Sequence, residues 1–185
     1  MKYHLKHHRH SVRLKGYDYS QSGAYFITIC TNGRQCVLGE FWEGTIILNE
    51  NGRIVNNERL KTSEIRQNVT LDEYIIMPNH IHGIINIVET NNNVGAHGNV
   101  PLQIEKFGKS TSNSIPTIIK LFKSTVTKQI NIIRGTPGEK FWQRNYYEHI
   151  IRNGDELNKI REYIIYNPLK WELDNKNPEN WNLQI

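Results

Sequence analysis

The sequence predicts an α+β domain, an antiparallel sheet with helices packed on it, the helices gathered on one face. Three observations carry this. Short β-branched runs, above all Ile81 to Val88, alternate with segments of helical period. Turn residues punctuate them at Asn32-Gly33, Asn49-Glu-Asn-Gly52 and Pro78-Asn79. The 185 residues suffice for one core and contain neither an internal repeat nor a linker between two cores, so a single domain over 1–185 is expected.

Ala24 to Thr31 reads as the first strand and Arg34 to Leu38 as its return across a hairpin turn at Asn32-Gly33. Thr45 to Leu48 is a further short strand, closed by the turn Asn49-Glu-Asn-Gly52. Arg53 to Glu64 has helical spacing, with Ile54, Val55 and Leu60 inward. Leu71 to Met77 and Ile81 to Val88 then form a central antiparallel pair around Pro78-Asn79. Thr90 to Ser114, rich in Asn, Gly and Ser, has few apolar anchors and reads as a mobile loop. Ile115 to Ile133 is a long amphipathic helix with Pro116 in its first turn and Gly135 just past its end. Its inward set is Ile118, Leu121, Phe122, Val126 and Ile130, leaving Lys120, Lys123 and Lys128 for solvent or phosphate. Gln143 to His149 reads as a last strand, with Tyr146 and Tyr147 on opposite faces. Asp155 opens the final helix as N-cap or first-turn acid, and Leu157, Ile160, Ile164 and Ile165 recur at roughly helical spacing. Pro168 disfavours helical backbone at Asn167 and limits the helix there.

The formal net charge of +5 is concentrated at the N-terminus. Lys2, Lys6, Arg9, Arg13 and Lys15 stand almost without acids before Asp18, a basic arm over residues 1–20 that fits a phosphate-rich partner. The cluster His7-His-Arg-His10 belongs to this arm and receives no metal role. Cys30 and Cys36 are expected as free thiols of a reducing cytoplasm, because no signal peptide and no apolar run of transmembrane length is seen. A membrane partner is not expected.

Chemistry concentrates in Tyr74-Ile-Ile-Met-Pro-Asn-His-Ile-His-Gly-Ile-Ile-Asn-Ile87. In a strand, residues two apart share a face, so His80 and His82 can reach one metal ion. A His-x-His pair taken alone serves equally well as polar residues at a strand entrance. Tyr163 and Asn167, four apart on the final helix, place a phenol and an amide oxygen one turn from each other. That is the arrangement of a nucleophile beside a metal ligand.

Three blocks occur in order: Pro78-Asn-His-Ile-His-Gly83, Phe141-Trp-Gln-Arg-Asn-Tyr-Tyr-Glu-His-Ile-Ile-Arg152, and Arg161-Glu-Tyr-Ile-Ile-Tyr-Asn-Pro-Leu-Lys170. Together they resemble the REP-associated tyrosine transposases, members of the HUH superfamily of single-strand nucleases and relatives of the insertion-sequence 200-like enzymes. The resemblance runs from about Arg13 to Trp171. It implies a ferredoxin-like, HUH endonuclease-like fold and a transposase acting on single-stranded DNA beside imperfect hairpins. It further implies Tyr163 as nucleophile, a 5′-phosphotyrosine link with a free 3′ hydroxyl, and a divalent ion on His80, His82 and Asn167. Mixed nitrogen and oxygen donors suit Mg²⁺ or Mn²⁺, and no cysteine accompanies the histidines to favour structural zinc.

Tyr166 is a second phenol on the same helix, but it lacks the four-residue relation to Asn167. His149 is expected in a structural hydrogen bond, and Glu148 is a weaker candidate for the metal. Arg9, Arg13, Lys15, Arg34 and Arg144 are candidates for DNA phosphates. The short path from Arg152 to Asp155 leaves little slack to reach a neighbouring chain, so a monomer is expected over a dimer. The alternative function is a domesticated DNA-binding protein that recognises repeat hairpins without strand transfer. A His-x-His barrel hydrolase would need a longer chain, about 250 residues.

Overall fold

The computed structural model describes residues 14, 16–89, 113–174, 176–178 and 180. Most of the basic arm, including Arg9, Arg13 and Lys15, and nearly all of the expected loop lie outside them. Among the described residues, strands β1 (Gly23–Cys30), β4 (Val69–Met77), β5 (His80–Ile87) and β6 (Tyr147–Ile151) form one antiparallel sheet in the order β4-β5-β1-β6. Strands β2 (Gly39–Trp42) and β3 (Thr45–Leu48) form a separate hairpin. The helices are α1 (Glu50–Glu64), α2 (Ile115–Arg134) and α3 (Gly154–Ile165).

Alternation along the two central strands divides the interior in two. Tyr25, Ile27 and Ile29 of β1 and Ile85 and Ile87 of β5 join Val55 of α1 and Ile118, Phe122, Val126 and Ile130 of α2 in the larger core. Phe26 and Ile84 face the other way and pack with Ile151 and with Ile164, Leu157 and Ile160 of α3. The antiparallel α+β class is as the sequence predicts, but the helices are not gathered on one face: α1 and α2 cover one side and α3 the other. The histidines, at the parity of Ile84, fall on the α3 side.

Local departures from the sequence reading have simple causes. Asn32-Gly33 makes no hairpin; Asn32–Arg34 is a 3₁₀ turn with Gly33 left-handed (φ 63°), and the next strand begins only at Gly39 and pairs with β3, not with β1. Asn49 does not open an independent turn. Its side chain accepts from Gly52 N at 3.1 Å, so it caps α1, which starts three residues earlier than expected. Leu60 and Leu121 are 44% and 49% exposed, because the buried stripes of α1 and α2 are centred elsewhere. In α2 the four-residue series Ile118, Phe122, Val126, Ile130 is flanked by Ile115 and Ile119, which turns the stripe away from Leu121.

The N-terminal arm ends before residue 20. Tyr19 is buried in the larger core, and its carbonyl accepts from Ile115 N. Asn153 caps α3 by accepting from Glu156 N at 2.9 Å, leaving Asp155 as the first-turn acid. The helix stops at Ile165, two residues before the expected limit, yet Asn167 keeps helical backbone (φ −60°, ψ −40°) and leads into a 3₁₀ segment, Pro168–Leu173.

Candidate active site

The site lies on the α3 face at one end of β1 and β5. His80 and His82 project from β5, where they pair in register with Cys30 and Thr28 of β1. Their Nε2 atoms stand 3.1 Å apart, and the side chains are almost wholly buried. Phe26 stacks on His82 at a centroid distance of 5.4 Å, while Trp171 lies tilted against His80 at 6.1 Å. These rings wall the imidazoles from water.

Each histidine is held through its outer nitrogen. Asn79 Oδ1 lies 2.8 Å from His80 Nδ1, and Asn79 Nδ2 donates to the carbonyls of Arg34 (2.9 Å) and Lys176 (2.7 Å). With both amide protons committed, Oδ1 is left to accept, so His80 carries its proton on Nδ1 and turns the lone pair of Nε2 toward His82. Thr28 Oγ1 lies 2.7 Å from His82 Nδ1 and orients that ring. Burial pushes the proton affinity of both imidazoles down, with neighbouring His82 and then the charges of Lys176 and Arg34 adding to the effect at His80. His82 is pushed down to about 3 by burial and by Lys176. Neutral imidazoles are the metal-binding form.

Tyr163 extends from α3 to this pair. Its hydroxyl lies 3.3 Å from His82 Nε2, its ring meets Phe26 edge-on, and the side chain remains 38% exposed. Asn167 follows after the helix has ended, 3% exposed, and its Oδ1 has no hydrogen-bond partner among the described residues. The helix is pinned to the sheet two residues before the tyrosine. Arg161 grips Asp72 of β4 through two nitrogens, at 2.9 and 2.6 Å, and this contact holds the Asp72 carboxyl below the usual carboxylate range.

The remaining sequence candidates separate clearly. Tyr166 caps the end of α3 and is 53% exposed. Glu148 opposes Ile27 in register and is buried on the α1/α2 side, across the sheet from His80 and His82. His149 is in a structural contact, 2.7 Å from Glu156 Oε1. Arg34 borders the site, whereas Arg144 is exposed in the segment that leads into β6. Cys30 and Cys36 form no disulfide. No described helix is long and apolar enough to cross a membrane.

No family model matches the chain. An uncharacterized Haemophilus influenzae protein is 41% identical over 171 residues, which span 91% of this chain and 92% of that protein. A second protein of that organism, provisionally named a REP-associated tyrosine transposase, is 22% identical over 156 residues, 83% of this chain and 74% of its own length. A solved REP-associated tyrosine transposase, bound to a REP hairpin, shares the fold with a TM-score of 0.51 at 20% identity, covering 85% of this chain and 69% of that one. The chain shares the fold of that REP-associated tyrosine transposase and is similar in sequence to the second Haemophilus influenzae protein.

Within this protein the sequence reading did not reach four supports of the site. Thr28 carries a signal in hindsight, since strand alternation puts it on the face of Phe26. Asp72 carries none, because it sits where the register of β4 shifts between Leu71 and Tyr74. Trp171 and Lys176 belong to a polar C-terminal stretch that gives no periodic pattern, yet the chain folds back so that both approach the histidines.

Proposed function

We propose that this chain is a metal-dependent transposase that cuts and rejoins single-stranded DNA next to hairpins through a 5′-phosphotyrosine link. The observation that carries the reading is the convergence of the Tyr163 hydroxyl and two inward-turned imidazole nitrogens at one buried point. The DNA hairpin bound to the solved relative supports a hairpin-bearing strand as partner.

The residues present fit a divalent ion. Two donors at right angles and about 2.1 Å from a common ion stand about 3.0 Å apart, and the two Nε2 atoms are separated by 3.1 Å. The buried, unpartnered Asn167 Oδ1 supplies a hard third donor. His80, His82 and Asn167 would hold Mg²⁺ or Mn²⁺, which when bound acts as a Lewis acid on the phosphate oxygens.

The chain's own groups perform the rest. Tyr163 is exposed enough to meet a strand arriving from solvent, and its contact with His82 holds the phenol oxygen beside the imidazole pair. Attack on phosphorus forms the bond from tyrosine oxygen to phosphorus and breaks the bond to the 3′ oxygen, which leaves as a hydroxyl on accepting a proton. The phosphate stays on the 5′ side. Attack by the 3′ hydroxyl of another strand reverses these bonds, releases the phenol and joins new ends without a nucleotide cofactor. Arg34 and Lys176 lend positive charge beside the reacting phosphate.

Incubation of the protein with a hairpin-bearing single strand and Mn²⁺ should yield a protein–DNA adduct that survives denaturation. Tyr163→Phe should abolish the adduct and leave strand binding nearly unchanged. An adduct of normal yield from that variant would overturn the assignment, while strand binding without any adduct from the wild type would favour a recognition protein.

A further inference from the structure

Away from the histidines, a groove of about 1080 Å³ opens between the second half of α2 and the segment that leads into β6. Exposed Lys128 stands on the helix wall, and exposed Lys140 and Arg144 stand on the opposite wall. Glu139 is the single acid of the lining. The wall between them is fixed, because the Lys123 ammonium donates to the carbonyls of Gln143 (2.5 Å) and Arg144 (3.1 Å). The floor is apolar: Phe141 and Trp142 are buried beneath it, and Ile132 remains 69% exposed beside it.

The groove lies on the α2 side of the sheet, and its Asn32 end adjoins the end of β1 at which the histidines sit on the other face. At its near end Asn32 N donates to Phe141 O at 2.8 Å, and Gln143 N donates to Cys30 O at 2.9 Å. Cys30 is the register partner of His80. Asn32 is two residues beyond Cys30, a chain distance of at most about 7.6 Å. We propose that this groove is a track for single-stranded DNA, whose phosphates meet Lys128, Lys140 and Arg144 while its sugars and bases cover the apolar floor. A duplex turns only phosphates outward and would leave that floor uncovered, whereas a single strand offers both chemistries. The proposal rests on the reading of the chain as a DNA transposase and extends it to the path the strand takes.

The test measures binding of a short fluorescent oligothymidylate, which contains no hairpin, across a salt series. Lys128→Gln/Lys140→Gln/Arg144→Gln is compared with the wild type and with Arg53→Gln/Lys61→Gln/Lys120→Gln, an equal charge change on exposed residues outside the groove. The groove variant should bind at least tenfold more weakly, with a salt slope shallower by about 2, as expected for three lost phosphate contacts on a single strand. The control should keep most of the wild-type affinity. Equal losses in both variants, or none in the groove variant, would overturn the groove while leaving the transposase reading intact. Wild-type protein that fails to bind the oligonucleotide, or that binds oligoglutamate as tightly, would overturn the nucleic-acid reading itself.

Discussion

Asn79 accepts from His80 Nδ1 at 2.8 Å while its amide nitrogen clamps the carbonyls of Arg34 and Lys176. One carboxamide thus orients His80, a proposed metal ligand, and ties the C-terminal stretch to the strand end. Outer partners of ligating histidines are typically worth about 10–100-fold in metal affinity. Asn79→Ala should weaken Mn²⁺ binding by that order in calorimetry. Asn79→Asp keeps the acceptor but loses both donors, so it should restore most of the affinity while residues around Lys176 exchange amide hydrogens faster than in the wild type.

His80→Ala and His82→Ala should each remove metal-dependent activity and retain the fold. Asn167→Ala should weaken Mn²⁺ binding less than either, since an amide oxygen is the poorer donor and water can take its place. Calorimetry of the three variants ranks them, and an equal or greater loss for Asn167→Ala would reverse the ordering.

The metal-free protein should lose stability in mild acid. In the unfolded chain each histidine takes up a proton as pH falls through about 6.5, whereas burial holds His82 neutral down to about 3 and pushes His80 well below its ordinary value. The unfolded state therefore binds more protons in this window. Stability from these groups is full above about pH 6.5 and declines below it by up to about 1.4 kcal/mol per pH unit for each histidine. Urea midpoints between pH 7.5 and pH 5 should fall accordingly, and His82→Gln should flatten the decline.

Tyr163 reaches the histidines of its own chain, and only two residues, Arg152 and Asn153, separate β6 from α3. We expect a monomer in light scattering. Mixing Tyr163→Phe with His80→Ala chains should restore no cleavage, because neither chain can lend its intact part to the other.

The two ends of the site were legible in the sequence for different reasons. His80 and His82 lie in a β-branched run whose period of two puts both on one face, and β5 begins at His80. Tyr163 was readable through helical spacing, and its hydroxyl stands beside His82, whereas Asn167 lies past the end of the helix with helical backbone of its own. The side of the sheet on which the tyrosine helix packs was not legible: amphipathicity fixes which face of a helix is buried and leaves open which sheet face it meets. Leu60 and Leu121 misled for a related reason, since an apolar residue at the margin of a stripe reads as inward until its neighbours are placed. The contact of Arg161 with Asp72 joins residues far apart in the chain through an irregularity that carries no pattern.

That irregularity also bears on how the molecule behaves in a crowded solution. Strands β4 and β6 are the two margins of the sheet, and an unbroken margin is a template for pairing with another chain. Between Leu71 and Tyr74 the register of β4 shifts, and the strand carries Asp72 and Glu73 there. Such a bulge bends the strand and interrupts its row of peptide groups. At the other margin β6 is only five residues long. Neither border can extend the sheet smoothly into a second molecule, so the irregular stretch that anchors the tyrosine helix also guards against edge-to-edge aggregation.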